Sequence, residues 1–166
     1  FHQTASSPEG EGATLAMQGA LDQAKLKATD IDYINVHGTG TGNNDLSEGT
    51  ACVNIFGDAV PKFSSTKAYT GHTLAAAGSV EAVFSILSMR EKVIFPNLNW
   101  KTPMEEFDLK PVTELLENQE ISHIMSNSFG FGGNNTTLIY SKDKRKFYEK
   151  SFTYSELKTD VQQFLK

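Results

Sequence analysis

The sequence predicts an α/β fold in which a mixed, mostly parallel sheet carries helices on its faces. Short alternating or apolar runs are typical of strands, and the longer segments between them repeat apolar residues every three or four positions, as helices do. Glycine-rich loops follow several of the predicted strands. Strands that alternate with helices in this way indicate an α/β sheet.

The first part of the chain supplies two helices and two short strands. A helix is predicted over residues 9–27, followed by an alternating strand over residues 31–36 that ends at the glycine-rich loop 37–42. A second helix is predicted over residues 45–56 and a short strand over residues 62–65.

Residues 73–90 give the clearest helical pattern in the chain. The run 74–78 carries almost no side-chain bulk, which suits a helix that is packed on several sides. The positions that repeat at three- and four-residue steps are Leu74, Ala77, Val80, Phe84 and Leu87.

Two further strands close the predicted sheet. Pro96 and Pro103 bracket an irregular stretch, after which strands are predicted over residues 121–126 and 136–140. The tight loop between them, residues 129–135, is too short for a crossover helix. These two strands should therefore be antiparallel.

Residues 1–141 are predicted to form one domain, and residues 142–166 a basic linker with a short C-terminal helix. The charge run at residues 142–146 is typical of a solvated face. Thr153 and Glu156 fit a capping box, which marks the start of the terminal helix. Its apolar face, expected to dock on the body or on a partner, contains Tyr154, Leu157, Val161 and Phe164.

Composition narrows the classes of protein to consider. A length of 166 residues suits one domain, and a formal net charge of −5 argues against nucleic acid as the main partner. The one cysteine, Cys52, excludes an internal disulfide and fits a reducing compartment. No apolar run approaches the roughly 20 residues of a membrane helix, so no membrane association is expected. The start at Phe1 lacks both a signal peptide and a methionine, so we expect a chain cut from a longer one.

The first loop that can carry chemistry is His37-Gly38-Thr39-Gly40-Thr41. Glycines let the backbone approach a ligand closely, and the threonines offer hydroxyls on alternate residues. The loop follows a strand, and sites in α/β sheets gather beyond the carboxyl ends of strands. A plain turn with a hydrogen-bonded histidine explains the motif equally well on its own. No Gly-Lys-Ser/Thr follows, which disfavours a phosphate loop.

The second loop leads from Lys67 to His72 and opens the small-residue helix. Glu81 lies nine residues beyond His72, and an ideal helix would place the two on different faces. Glu81 can instead meet Lys67, since a buried glutamate needs a partner. The alternative is a surface lysine, a first-turn histidine and an exposed glutamate.

The third loop, residues 127–134, holds Phe129 and Phe131. Glycines flank Phe131 on both sides, so its ring can swing and its amide can donate to an oxyanion. The alternative is a turn between strands that carries two core aromatics.

Other reactive side chains have simpler explanations. Cys52 lies within a predicted helix between apolar neighbours, which favours a buried, inert thiol over a nucleophile. His123 falls on a predicted strand and is taken as structural, and His2 has no evident partner. No metal-ligand spacing is present, so no metal is expected.

Together and in this order, the three loops resemble the C-terminal half of β-ketoacyl-acyl-carrier-protein synthases of the elongating type. The resemblance runs from about Phe1 to Tyr140, and four blocks in register make it strong. The matching blocks are residues 10–13, 37–41, 67–78 with Glu81, and 128–133.

The resemblance implies a thiolase-like fold, whose two similar halves each hold a five-stranded mixed sheet with helices. It also implies a decarboxylative Claisen condensation, in fatty acid or polyketide synthesis. An acyl chain sits on a cysteine while malonyl-carrier protein loses carbon dioxide and attacks it. That nucleophilic cysteine belongs to the N-terminal half of the family, and nothing in this chain matches it. The chain alone is therefore expected to be inactive.

Site roles follow from the resemblance at matching positions only. His37 and His72 correspond to the catalytic histidine pair, and the second histidine favours the elongating type over initiating relatives, which use asparagine. Lys67, paired with Glu81, would support the site electrostatically. The remaining implied contacts are Thr39 and Thr41 with the pantetheine arm, and Phe131, beside Phe129, as acyl gate and oxyanion donor.

The resemblance also implies partners, and two departures qualify it. Expected partners are acyl carrier protein, whose phosphopantetheine carries the substrate, the missing N-terminal half and, in the complete enzyme, a second copy in a homodimer. A cytoplasmic location and no further cofactor are expected.

Two residues depart from the family pattern. Gly42 stands where the family usually has proline, and Asn134 where it usually has threonine. The alternative is a non-catalytic thiolase-like module that binds carrier protein or pairs with a catalytic subunit.

Overall fold

The structure, a computed structural model, describes residues 4–142, in which one sheet carries helices on both faces. The predicted terminal helix lies outside the described residues, as do His2 and all but the first residue of the basic linker. The strands are β1 (Tyr33–Asn35), β2 (Lys62–Ser64), β3 (His123–Phe129) and β4 (Asn135–Ser141).

The strands are ordered β2-β1-β3-β4 across the sheet. β1 pairs in parallel with both β2 and β3, whereas β3 and β4 are antiparallel and joined by a short turn. This topology confirms the α/β class and the predicted antiparallel pairing of the last two strands. It also brings the carboxyl ends of β1, β2 and β3 to one edge of the sheet.

The expected five-stranded sheet is wrong for the described residues, where the sheet has four strands. The segment that borders the free edge of β2, residues 92–116, makes one isolated bridge between Ile94 and Leu116. The amide of Val112 donates to the carbonyl of Phe63 on β2 at 2.9 Å, but no ladder follows. Three prolines interrupt this segment, and proline has no amide hydrogen to donate to a ladder.

Of the four helices within residues 4–142, three correspond to predicted ones with bounds that differ by a few residues, whereas the short helix at residues 67–70 was not predicted. Thr41 caps the second helix, because its side chain accepts a hydrogen bond from the amide of Asn44. The first helix ends where Lys25 adopts a left-handed conformation, with φ of 57°. None of the helices within residues 4–142 is long and apolar enough to cross a bilayer. The helices are α1 (Glu11–Ala24), α2 (Gly42–Phe56), α3 (Lys67–Thr70) and α4 (Ala77–Glu91).

The predicted apolar face of the helix at residues 73–90 is wrong at its start. α4 begins only at Ala77, and Leu74 lies in a separate 3-10 turn with φ of 53° and 77% of its surface exposed. The alanine-rich run therefore splits into a turn and a helix. The buried side of α4 is small and polar, and it consists of Ala77, Glu81, Ser85, Ser88 and Met89.

Two apolar clusters hold the layers together, one on each face of the sheet. Side chains on a strand alternate between faces, so Ile34 of β1 points to one cluster and its neighbour Tyr33 to the other. The first cluster includes Met17 of α1 and Ala51 of α2, whereas the second includes Met89 of α4. α4 therefore lies on the opposite face from α1 and α2.

Candidate active site

His37 lies just beyond β1, where the chain turns away from the sheet, and only 6% of its surface is exposed. Glu48 fixes this turn, because the amides of His37 and Gly38 donate hydrogen bonds to its two carboxylate oxygens at 2.9 Å each. Gly38 has φ of 42°, and a Cβ there would lie 2.6 Å from the Cβ of Ser65. Glycine is therefore required at this position.

Glu48 is the residue of this site that sequence reasoning missed. Its buried carboxylate also accepts hydrogen bonds from the side-chain amides of Asn44, at 3.3 Å, and Asn127, at 3.1 Å. Burial raises the pKa of Glu48, while the four N–H donors favour its ionised form. Asn44 and Glu48 lie four residues apart on α2, and that spacing directly after the loop is the signal that can reveal such a support.

His72 follows α3 and is exposed on the same edge of the sheet. Its ring centroid lies 5.4 Å from that of His37, with the ring planes at 86°. Nδ1 of His72 accepts a hydrogen bond from the amide of Leu74 at 3.1 Å. Because Nδ1 is an acceptor, the neutral ring carries its proton on Nε2 and presents it as a donor.

His37 is held in its neutral form. Burial, with the nearby positive charge of Lys67 and the ring of His72, lowers the pKa of His37 to about 4. Its Nδ1 is buried and has no hydrogen-bond partner among the described residues. A neutral imidazole at this point can donate one hydrogen bond from its N–H and accept another at its other ring nitrogen.

Lys67 and Glu81 form a buried ion pair beside the histidines. Lys67 begins α3 and Glu81 lies in the second turn of α4, with side-chain exposures of 6% and 3%. The second carboxylate oxygen of Glu81 accepts a hydrogen bond from the hydroxyl of Ser128 at 3.3 Å. The predicted meeting of Glu81 with Lys67 rather than His72 agrees with this geometry.

The two aromatic residues of the third loop differ in position. Phe129 ends β3, and its ring centroid lies 6.0 Å from that of His37. Phe131 lies in the following 3-10 turn with 70% of its surface exposed, and it makes no ring contact with either imidazole in the described part of the chain. The turn therefore brings Phe129, but not the ring of Phe131, against the histidines.

The threonines of the first loop lie at the mouth of the site. The hydroxyl oxygens of Thr39 and Thr41 are 3.1 Å apart and both exposed to solvent. The hydroxyl oxygen of Thr41 also accepts a hydrogen bond from the amide of Asn44 at 3.4 Å, so it serves as the N-cap of α2. Thr39 has the freer hydroxyl of the two.

Cys52 and His123 lie away from these groups. Cys52 is buried in the cluster between α2 and the sheet, where desolvation raises the pKa of its thiol above the usual range. His123 begins β3, and its Nδ1 is 2.9 Å from the hydroxyl of Ser141. No cluster of three His, Cys, Asp or Glu side chains able to hold a metal occurs within residues 4–142.

Two imidazoles set edge to face, next to a buried ion pair, can stabilise negative charge on one small oxygen. His72 presents an Nε2–H, and the ring centroid of neutral His37 lies 5.4 Å from that of His72. Donors fixed in advance at the place where an oxyanion develops lower the barrier to its formation.

Comparison with known proteins defines the class. The family model "Beta-ketoacyl synthase, C-terminal domain" matches residues 1–101. The chain is 45% identical over 144 residues to 3-oxoacyl-[acyl-carrier-protein] synthase 2 of Staphylococcus aureus (strain COL), covering 86% of this chain and 35% of that protein.

Solved structures give the same assignment. The ketosynthase ApeO in complex with its chain length factor ApeC, from Xenorhabdus doucetiae, superposes with a TM-score of 0.76 at 39% identity, over 86% of this chain and 36% of that one. The AntDE:AntF complex, a type II polyketide synthase acyl-carrier protein with its ketosynthase bound to the hexaketide, gives a TM-score of 0.82 at 27% identity, over 86% and 36%.

The chain belongs to the β-ketoacyl synthase family and corresponds to its C-terminal domain. Its fold is that of one half of a thiolase-like condensing enzyme. The chain spans about a third of the length of the curated relatives that it matches.

Proposed function

We propose that this chain supplies the histidine pair of an elongating β-ketoacyl-acyl-carrier-protein synthase. The observation that carries the proposal is the 5.4 Å edge-to-face placement of His37 and His72, with the Lys67–Glu81 ion pair beside them. These positions match the family's site by resemblance. They come from the loop after β1, from α3 and the turn that follows it, and from α4.

The proposed reaction uses the histidines in the decarboxylation step. The bond between the malonyl carboxylate and the adjacent carbon breaks, carbon dioxide leaves, and the electron pair moves onto the thioester oxygen as an enolate. His72 donates its Nε2–H to that oxygen, while neutral His37 supplies the second contact. The enolate carbon then attacks the acyl thioester, a carbon–carbon bond forms, and a cysteine thiolate from outside this chain leaves.

The loops around the histidines would bind the substrate arm. Thr39 has the freer hydroxyl for the pantetheine, whereas Thr41 already caps α2. Phe131 is exposed and is followed by Gly132 and Gly133, which both have positive φ, a conformation that favours glycine. We propose that its ring gates the acyl chain and that its amide completes an oxyanion site.

The two departures from the family pattern are accommodated locally. Gly42 occupies the first position of α2, where proline would pre-set φ but is not essential. Asn134 donates from its side chain to the carbonyl of Phe131 at 3.4 Å, so it supports the same turn with its own hydrogen bond.

The proposed partners are an acyl carrier protein and a cysteine-bearing N-terminal half, within a homodimeric, cytoplasmic enzyme. The support comes from relatives of which this chain covers only 35%, and from a solved relative described as an acyl-carrier protein in complex with its ketosynthase. The phosphopantetheine would arrive on the carrier protein as part of the substrate, with no further cofactor.

A second candidate is a non-catalytic module that pairs with a catalytic subunit. It is favoured by a solved relative in which a ketosynthase is complexed with a chain length factor. Retention of His37, Lys67 and His72 in one site favours the catalytic role, because a module without chemistry has no need of a buried ion pair beside two imidazoles.

The test is decarboxylation of malonyl-carrier protein by the complete protein that contains this chain. His72→Ala should lower the rate on the order of 10²-fold or more, as for removal of an oxyanion donor. His123→Ala is the matched control, because His123 pairs with Ser141 away from the site, and its rate should stay near that of the unmodified protein. An unchanged rate in His72→Ala would overturn the catalytic role and favour the non-catalytic module.

A further inference from the structure

The side chain of Ser65 joins the two loops that carry the histidines. Ser65 follows β2 directly, and only 5% of its surface is exposed. Its hydroxyl donates a hydrogen bond to the carbonyl of Gly38 at 2.8 Å and accepts one from the amide of Lys67 at 3.3 Å. A hydroxyl has one hydrogen to donate and lone pairs to accept, so both hydrogen bonds can form at once. Gly38 follows His37, and Lys67 begins α3, which leads to His72.

The contact between Ser65 and the first loop is a close one. A Cβ on Gly38 would lie 2.6 Å from the Cβ of Ser65 and 2.9 Å from its hydroxyl oxygen, so the backbone of the loop lies directly against this side chain. Ser65 is itself fixed from a third direction, because its amide donates a hydrogen bond to the side-chain oxygen of Asn97 at 2.9 Å. The side chain that connects the two loops therefore has little freedom to move.

A small movement of α3 would change the geometry of the histidine pair. α3 has four residues, so it is about 6 Å long. A tilt of about 10° at its first residue, Lys67, would displace its far end, next to His72, by about 1 Å. A displacement of that size can lower the rate of a reaction about 10²-fold. The proposed reaction needs both imidazoles at one oxygen, so it depends on how firmly α3 is held against the loop of His37.

We propose that Ser65 is a positioning residue, which sets the distance between His37 and His72. It does so by holding the carbonyl of Gly38 and the amide of Lys67 on one hydroxyl. The inference rests on the proposed function, because it concerns the placement of the same histidines for the same decarboxylation.

Ser65→Ala removes the hydroxyl and keeps every group that would stabilise the enolate. In the complete protein that contains this chain, it should lower kcat for decarboxylation of malonyl-carrier protein about tenfold and change KM by no more than about twofold, because only the alignment of the histidines is lost.

Ser88→Ala is the matched control for this substitution. Ser88 lies on α4 with 1% of its surface exposed, and its hydroxyl has no hydrogen-bond partner among the described residues. The same change of a buried serine to alanine should therefore leave kcat within about twofold of the unmodified protein.

A second background separates positioning from a general effect on the fold. If Ser65 acts by placing His72 against His37, its loss should matter little once the ring of His72 is gone. Ser65→Ala should therefore lower kcat about tenfold in the unmodified protein but by no more than about twofold in the His72→Ala protein. A role in folding alone predicts the same factor in both backgrounds, because a weakened fold lowers every rate alike.

The same measurements distinguish this inference from the proposed function. A His72→Ala protein with an unchanged rate would overturn both. If His72→Ala shows the expected loss, the inference alone is overturned by a Ser65→Ala protein that matches Ser88→Ala, or by the same factor in both backgrounds.

Ser65→Cys takes the place of Ser65→Ala if the alanine variant does not fold, since a thiol has the same connectivity as the hydroxyl but is a weak donor. It should lower kcat about threefold in the unmodified protein, because the hydrogen bonds are weakened rather than removed. That loss should disappear in the His72→Ala background. An unchanged kcat, or a loss that persists without His72, would overturn the inference.

Discussion

The ammonium of Lys67 on α3 and the carboxylate of Glu81 on α4 form an ion pair in which both side chains are almost fully buried. A buried pair of this kind adds little to stability over an apolar pair of the same volume, because both ions lose their hydration. Loss of one partner is far more costly, since it leaves a buried charge uncompensated. The pair is therefore better explained by its position beside His72 than by stability.

Glu81→Ala should lower the free energy of unfolding by about 3–5 kcal/mol, because it leaves the Lys67 ammonium buried and unpaired. The double variant Lys67→Met with Glu81→Leu should recover most of that loss. Urea denaturation measures both. Glu120→Ala, which removes the exposed partner of Lys92, is the control and should change stability little. Additive losses in the double variant would show that the two residues do not act as a pair.

Glu48→Gln should destabilise the chain by about 1–3 kcal/mol, although it changes only one oxygen to a nitrogen. All four hydrogen bonds at Glu48 come from N–H donors, so the new amide group faces donors and leaves them unsatisfied. Thermal unfolding measures the loss, and exposed Glu117→Gln is the matched control. Equal stability of the two variants would mean that the loop at His37 does not depend on this carboxylate.

The sequence predicted the class of fold, the antiparallel pairing of the last two strands and the pairing of Glu81 with Lys67. These follow from periodicity, from loop length and from the need of a buried charge for a partner. It could not predict the break before α4. The alanine-rich run looks helical throughout, but Leu74 turns to positive φ in a separate 3-10 turn next to the ring of His72.

Glu48 was missed for a related reason. A glutamate within a helix is usually exposed, and only the folded loop shows that two main-chain amides beyond β1 point at it. The fifth strand was expected from family resemblance, yet the segment at residues 92–116 lacks the continuous amide donors that a ladder requires. In both cases the deciding contact joins residues far apart in the chain, where local patterns carry no information.

The 166-residue chain alone should form no β-ketoacyl product from acyl- and malonyl-carrier proteins. Covalent catalysis needs an activated nucleophile, whereas the one thiol of this chain is buried in a core cluster and its pKa is raised by desolvation. Product analysis by mass spectrometry is the measurement. Addition of a separately expressed N-terminal half with its cysteine is the positive control, and product from the chain alone would contradict the prediction.

The ionisation of His37 should make stability depend on pH in the acid range. Its pKa is about 4 in the folded chain and about 6.5 when unfolded, so the unfolded state binds the proton more readily between those values. Stability should therefore be unaffected above about pH 6.5, fall as the pH drops from there towards 4, and level off below. Each pKa unit corresponds to about 1.36 kcal/mol, and solvent screening at the open side of the site reduces the expected total to about 1–2 kcal/mol.

His37→Gln removes the titrating group and is the variant for the test. The difference between its free energy of unfolding in urea and that of the unmodified chain should shrink as the pH falls through this window. The contributions of other buried groups, such as Glu48, are the same in both proteins and cancel in the difference. If this difference in the free energy of unfolding stays constant from pH 7 to pH 4, His37 keeps an ordinary pKa and is protonated in the folded chain at mildly acid pH.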